Sequence, residues 1–578
     1  MISARLLGFI LLSVTAVQGT AIDQPNVLSR NTAPHGGVAT EAAPCTEIGI
    51  NILKEGGNAA DAIIASGLCV GVISAYHSGV GGGGFMLVRF NKDEGGHDYE
   101  MIDFRETMPA AGTVDMYINN SNPNASVIGG LSVGVPGDLR GWEMLHQRHG
   151  TLPWEDLVAP AINLARNGFE VNVDLAAALQ GFDFITEDAI WAESYAPNGT
   201  ILGEGDICHR KRYANTLETI AKRGVDTFYN GEIAVNIAST VYQNNGILTT
   251  ADLSNYTAII RQPRNITYRN TRIFSTVAPS SGTVVLSALK IFEGFDDFNV
   301  SDSNPAINLT THRLVEATRF AYGQRTEFGD PAFTPNVTEL EAYFLTDAVA
   351  NQVRGKIVDN ATFPITYYNP ENYQVLIDNG TSHMAVIDKD GMSVSLTTTV
   401  NNFWGSSLMT ADGVILNDEM GDFSSPGENN DFGFSPSPVN FIAGGKRPQS
   451  SISSSIAEDL ETGEIIIATG SAGGSRIITA TLQHLYHHID QGLNSTLCVH
   501  HSRWHDQLDG NTYFEFKSEN VGIAGYDNRT VAFFRDMGYN ITYESTTGST
   551  GHVVIRQPNG TIEAANDPRK AAGAGLAF

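Results

Sequence analysis

Near residue 382 the spacing of apolar positions changes from helical to alternating. His383-Met384-Ala385-Val386-Ile387-Asp388 and the stretch from Met392 to Thr399 flank Asp390-Gly391, a strong β-hairpin pattern. A two-residue loop would face Val386 with Ser395 and Met384 with Thr397. A three-residue loop, Lys389-Asp390-Gly391, faces Val386 with Val394 and Met384 with Leu396. Register follows the buried face, so the three-residue loop is expected, with Gly391 in the left-handed conformation. Carried to the open end, that register sets Thr381 opposite Thr399. On the hairpin alone this reads as an ordinary threonine pair at a sheet edge.

Upstream, Thr46 to Leu53 reads as a helix, Gly56-Gly57 breaks it, and Asn58 caps a second, apolar helix through Cys69. The run Gly79-Val80-Gly81-Gly82-Gly83-Gly84 precedes the strand-like Phe85-Met86-Leu87-Val88. It lacks the Gly-Lys-Ser/Thr ending and the strand-to-helix order of a phosphate loop, so close backbone packing is the expected role. The segment 157–344 is rich in helical patterns, including Leu157 to Arg166, stopped by Asn167-Gly168, and His312 to Arg325. Further on, Gly473-Gly474 lead through Ser475 into a helix with Ile478, Leu482, Leu485 and Ile489 on one face.

Composition narrows the partners. The chain has 578 residues, 42% of them hydrophobic, with a net charge of −28. It is globular in composition and long enough to bury a large core. So acidic a chain excludes nucleic acid as the expected partner and argues against peripheral binding to anionic lipid. An anionic substrate would need a local positive pocket.

Arg5 followed by an apolar run from Leu6 to Val17 and by Gln18-Gly19-Thr20-Ala21 fits a signal peptide over residues 1–21. Secretion is therefore expected, with an uncleaved signal anchor in a membrane as the alternative. Sequons support a glycoprotein, with candidate sites at Asn119, Asn124, Asn198, Asn255, Asn265, Asn299, Asn308, Asn336, Asn360, Asn494, Asn528, Asn540 and Asn559. The four cysteines, Cys45, Cys69, Cys208 and Cys498, predict one or two bridges in an oxidising compartment, and spacing alone leaves the pairing open.

Asn379-Gly380 reads as a turn. A threonine placed after such a turn and leading into a strand suits a nucleophile released by self-cleavage. Its freed α-amine, with a reference pKa near ~8, can act as the base for its own hydroxyl.

The surrounding motifs are Asn379-Gly380-Thr381-Ser382-His383, Thr397-Thr398-Thr399-Val400-Asn401, Asn417-Asp418-Glu419-Met420-Gly421-Asp422, Arg447-Pro448-Gln449-Ser450-Ser451 and Gly470-Ser471-Ala472-Gly473-Gly474-Ser475, with Asp103-Phe104-Arg105-Glu106-Thr107 and Gly134-Val135-Pro136-Gly137 upstream. Together and in this order they resemble the γ-glutamyltransferases (glutathione hydrolases) of the N-terminal nucleophile hydrolase superfamily, over nearly the whole mature chain. The resemblance implies an α/β fold, a four-layer αββα sandwich. It implies a large chain over 22–380 and a small chain over 381–578, cut from one precursor and interlocked as a heterodimer. It also implies γ-glutamyl transfer from glutathione and related compounds to water, amino acids or dipeptides, without metal or organic cofactor. By the same resemblance Thr381 is the nucleophile, Thr399 bonds its hydroxyl, and Gly473 and Gly474 form the oxyanion hole. Arg105, Ser450 and Ser451 hold the substrate carboxylate, while Asn401, Glu419 and Asp422 hold its ammonium. The Cys45–Cys69 separation matches the family's disulfide.

Gln449 stands where leucine is usual and Gly421 where aspartate is common. Asn379 forms a sequon with Thr381 itself and is expected to stay unmodified, since a glycan there would crowd the pocket. Two rival readings remain. His484, His487 and His488, with His500, His501 and His505, could ligate zinc, although an exposed histidine-rich helix face is the plainer expectation. The other rival is a catalytically weak secreted homologue that binds γ-glutamyl compounds or a protein partner.

Overall fold

The computed structural model describes residues 32–92, 94–118, 120–295, 304–371, 373–374, 380–427, 435–546 and 548–578. The side chains of 304–307 are not described. The chain divides into Met1–Arg30 and Asn31–Phe578, and the second part holds all the described residues. The expected signal segment and the sequons at Asn119, Asn299 and Asn379 lie outside the described residues.

Two seven-stranded sheets form the centre. One runs Thr32–Ala33, Ile562–Asn566, Thr550–Arg556, Ile465–Ala472, Ser455–Asp459, Thr271–Ser275, Arg264–Tyr268. The other runs Ala574–Ala577, Gly36–Thr40, Ser382–Asp388, Ser393–Thr399, Gly83–Asn91, His97–Phe104, Ile259–Arg261. Every pairing within them is antiparallel. Leu87, Ala385 and Ile387 of one sheet meet Phe274, Ile456 and Val554 of the other in a shared apolar layer. Helices cover both outer faces: Ala43–Lys54, Ala59–Ile73 and Trp154–Asn167 on one side, Gly282–Glu293, Asn304–Arg325 and Arg476–Ile489 on the other. The result is the expected αββα sandwich. Segments before and after residue 381 alternate within both sheets.

The early helices form where expected but extend further, to Ala43–Lys54 and Ala59–Ile73. Asn58 caps the second in a reciprocal box with Asp61. Buried Cys45 and Cys69 staple the two helices with a disulfide across 24 residues of sequence. Cys208 and Cys498 are separate buried thiols. Closing a loop of that length stabilises the native state by about 3 kcal/mol. A Cys45→Ser/Cys69→Ser variant is therefore expected to be less stable by that amount, seen as a lower denaturant midpoint by circular dichroism. An unchanged midpoint would contradict the loop-entropy account.

The glycine run does the packing work expected of it. A Cβ on Gly81, Gly82 or Gly84 would lie 2.0 to 2.1 Å from the carbonyl oxygens of Ile415, Thr399 and Thr397. Only bare backbone lets this segment lie against the strand that ends at Thr399.

Most described sequons are exposed: Asn124, Asn198, Asn255, Asn265, Asn336, Asn360, Asn528, Asn540 and Asn559. Asn494 is half-buried and caps the helix Ser495–His500. Asn308 is a correction. It lies on the inward face of Asn304–Arg325 and accepts a hydrogen bond from the Thr530 hydroxyl at 3.1 Å, leaving no room for a glycan.

Candidate active site

The hairpin forms in the expected register, Val386 facing Val394 and Met384 facing Leu396, with Ser382 facing Thr398. Gly391 takes φ +79° in the three-residue loop. Both faces of both strands are buried, because the hairpin sits mid-sheet between the other sheet and the helices. At its open end the Thr381 hydroxyl donates to the Thr399 Oγ1 at 3.5 Å, a long contact. The same Thr399 oxygen accepts the Asn401 backbone N–H at 2.7 Å.

The backbone before this threonine is strained. Gly380 has φ +103° and Thr381 φ +95°. A β-branched residue in that region costs on the order of 1–3 kcal/mol. Gly380 cannot be replaced, since a Cβ there would fall 1.7 Å from the Asn401 carbonyl oxygen. The Gly380 carbonyl, one atom from the Thr381 nitrogen, accepts the Gly473 N–H at 3.1 Å. Gly473 (φ +117°) and Gly474 (φ +58°) turn the chain from Ile465–Ala472 into the helix Arg476–Ile489. That turn aims a backbone donor at the bond that precedes the threonine.

A second cluster gathers residues more than 300 positions apart. Buried Arg105 donates to Glu419 and, at 2.5 Å, to Asp422. It also donates to the backbone carbonyls of Pro448 and Gln449 at 3.3 and 3.1 Å. The planar fork expected to await a carboxylate is thus already filled by the carboxylates expected to await an ammonium. Burial works against the charge on Arg105, but Glu419, Asp422 and Glu106 outweigh it and hold the guanidinium above its ordinary value. Asn401 (φ +73°) donates from Nδ2 to the Asp418 carbonyl at 3.1 Å. The loop with Ser450 and Ser451 lies beside Arg105, and the Ser450 N–H donates to the Pro279 carbonyl at 2.8 Å.

The unusual Gln449 is well placed. Its side-chain amide donates to the carbonyls of Arg325 and Phe328, both at 2.8 Å, and its N–H donates to Asn440 at 2.9 Å. Leucine could fill that space but make none of the side-chain bonds. Gly421 packs near Val127 and Asn401 with no special backbone conformation.

Sequence reasoning left Glu106, Arg325 and Ser281 without a role. Glu106 is buried beside Arg105 with neither carboxylate oxygen hydrogen-bonded among the described residues, and burial pushes it well above the usual range. Its only signal was its place directly after Arg105 in a recognised motif. Arg325 and Ser281 carried no local signal.

The histidines are not on an exposed face. His484 and His487 are buried, with His484 bonded to the Thr469 hydroxyl at 3.0 Å and to Arg503 at 3.1 Å. His505 bonds Thr479 at 2.8 Å and Gln507 at 2.7 Å. No group of three metal-binding side chains occurs among the described residues. A cavity of about 630 Å³ opens at the turn end of the hairpin, among Asp388, Lys389 and Asp390, and none of the site residues line it.

These buried groups set a pH dependence. Burial lowers His383, His484, His487 and His552, so they stay neutral when folded. Unfolded, they take up protons below about 6.5, so stability falls as the pH drops beneath that value. Burial raises Asp418 to about 7 and Asp138 to about 8. Their contribution is complete at acid pH and fades as pH rises through those values. Thermal stability should therefore peak near pH 6.5 (about the unfolded histidine value) and decline toward pH 8.5. A melting temperature still rising above pH 7 would contradict this.

The gamma-glutamyltranspeptidase family model matches residues 45–577. A glutathione hydrolase proenzyme of Arthroderma benhamiae is 43% identical, over 94% of this chain and 92% of that protein. A glutathione hydrolase of Aspergillus flavus is 39% identical, over 92% of this chain and 88% of that protein. Among solved structures, a cephalosporin acylase from Bacillus halodurans shares the fold, with a TM-score of 0.81 at 23% identity over 98% of this chain and 99% of that one.

Proposed function

This chain belongs to the gamma-glutamyltranspeptidase family, and from that premise we propose how its residues do the work. It is a glutathione hydrolase, an enzyme of the N-terminal nucleophile type that cleaves γ-glutamyl amides. The single observation that carries our mechanism is the Gly473 N–H bonded to the Gly380 carbonyl beside the Thr381 hydroxyl.

The Thr381 hydroxyl adds to the Gly380 carbonyl carbon, and Gly473 steadies the oxygen as it becomes negative. The C–N bond breaks, the Thr381 nitrogen takes a proton, and the acyl group rests on the threonine oxygen as an ester. Water hydrolyses that ester. Gly380 becomes a carboxylate end and Thr381 an amine end, and the backbone strain at Thr381 is released. Residues up to 380 form the large chain and those from 381 the small chain. Because strands of both alternate in both sheets, the two stay together.

In turnover the Thr381 amine takes the proton from its own hydroxyl, which attacks the γ-carbonyl. Gly473 and Gly474 donate to the oxyanion, and the amine product leaves with a proton. Water, an amino acid or a dipeptide then takes the glutamyl group from the ester. Thr399 orients the nucleophile. The substrate carries both an α-ammonium and an α-carboxylate. It can enter the Arg105–Glu419–Asp422 cluster by exchange: its carboxylate takes Arg105 with Ser450 and Ser451, and its ammonium takes Glu419 and Asp422 with Asn401. Arg105 exchanges its two carboxylates for one carboxylate, while Glu419 and Asp422 exchange the guanidinium for the ammonium, and the zwitterion adds no net charge to the desolvated site.

Residues 1–21 and the exposed sequons support export as a glycoprotein, with Asn379 unmodified. The test is mass spectrometry of the purified protein followed by assays with glutathione and a γ-glutamyl anilide, with and without a dipeptide. A small chain starting at Thr381, with anilide release accelerated by the dipeptide, is expected. One uncut chain, or a start elsewhere, would overturn the mechanism.

A further inference from the structure

Arg105 is crowded by carboxylates, whereas a second buried arginine beside the same loop has none. Arg325 ends the helix Asn304–Arg325 and is 2% exposed. Among the described residues no carboxylate lies within ion-pair distance of it. Its hydrogen-bond acceptors are two neutral hydroxyls. Nε donates to Ser281 Oγ at 3.0 Å, and a terminal nitrogen donates to Ser451 Oγ at 3.0 Å. Ser281 in turn donates to the Ser450 carbonyl at 2.5 Å. One guanidinium therefore fixes the backbone of Ser450 through Ser281 and the side chain of Ser451 directly. Gln449 completes the brace by bonding the Arg325 carbonyl at 2.8 Å.

A buried cation without a counter-ion is costly, and a helix C-terminus offsets only a small part of that cost. An anion brought by the ligand would offset the rest. From this arrangement we infer that Arg325 is a positioning residue for the α-carboxylate of the γ-glutamyl donor, acting through Ser451 and Ser450. Arg105 and Arg325 then divide the work. Arg105 exchanges partners with the whole zwitterion, and Arg325 supplies the uncompensated positive field that selects a carboxylate. This inference rests on the proposed assignment of Ser450 and Ser451 to the carboxylate.

The test compares two donors that differ only in that group: L-γ-glutamyl-p-nitroanilide and 4-aminobutyryl-p-nitroanilide, which lacks the α-carboxylate. Arg325→Gln should still be processed. Its KM for the γ-glutamyl donor should rise about 10- to 100-fold, the effect of losing a charge-assisted contact, with kcat changed less than about threefold. On the 4-aminobutyryl donor its kcat/KM should match the wild type, and Arg325→Lys should recover part of the lost affinity. Equal losses on both donors would mark Arg325 as merely structural and overturn the inference, as would an unchanged KM. If Arg325→Gln does not accumulate as processed enzyme, Ser281→Ala cuts only the limb to Ser450. It should raise KM for the γ-glutamyl donor alone, and no rise would overturn the inference. A wild-type enzyme inactive on both donors would instead bring down the proposed activity.

Discussion

Thr381→Ala should leave one uncut polypeptide with no γ-glutamyl release above background, a loss of at least about 10⁴-fold by analogy with other nucleophile deletions. No other hydroxyl can replace it. The neighbouring Ser382 hydroxyl donates to Glu41 at 2.7 Å and is committed to that buried carboxylate. Thr399 faces Thr381 from across the hairpin and accepts hydrogen bonds from Thr381 and Asn401. The Gly473 donor would still sit on the Gly380 carbonyl in the variant, but with nothing to attack that carbonyl the bond would persist. Thr381→Ser gives the contrast. It keeps the hydroxyl and loses only a methyl group, so it should be cut and active. Denaturing electrophoresis and an anilide assay on both variants decide the matter. A Thr381→Ala chain that still splits after Gly380 would remove the proposed nucleophile.

Much of this site was legible in the sequence, and the reason lies in what is local. The hairpin register followed from apolar pairing across a three-residue loop, and it set Thr381 against Thr399 before any tertiary information. The Gly473-Gly474 turn announced itself through the helix that follows. What could not be read was convergence. Arg105 meets Glu419 across 314 residues, and Arg325 meets Ser451 across 126. Periodicity carries no signal for either meeting, and family motifs name only residues already assigned. The same limit explains the errors. Nothing local distinguishes the buried Asn308 from exposed sequons, and His484 and His487 of Arg476–Ile489 are polar in name but lie in the interior. The filled fork of Arg105 was equally invisible, because the sequence suggests opposite charges for opposite ends of a substrate but not that they pair in its absence.

Gly473→Ala should slow both self-cleavage and turnover, each by about 10²- to 10³-fold, the usual effect of losing one oxyanion donor. Two features make this position intolerant. Its φ of +117° is one that alanine rarely adopts. A Cβ there would also stand 2.4 Å from the Gly548 carbonyl oxygen and 2.7 Å from the Ser549 Cα. Both are backbone atoms and cannot simply rotate away, so the turn itself must shift. That shift carries the N–H away from the Gly380 carbonyl, which it now meets at 3.1 Å. The groups proposed to hold the substrate's two charges come from other segments, so KM for a γ-glutamyl anilide should change far less than kcat. Cleavage can be followed by the appearance of the small chain over hours to days, and turnover can be measured on the fraction that matures. The decisive feature is that both rates fall together, because one N–H is assigned to two carbonyls in succession. If maturation proceeds at the normal rate while kcat collapses, or the reverse, a single oxyanion donor does not serve both reactions.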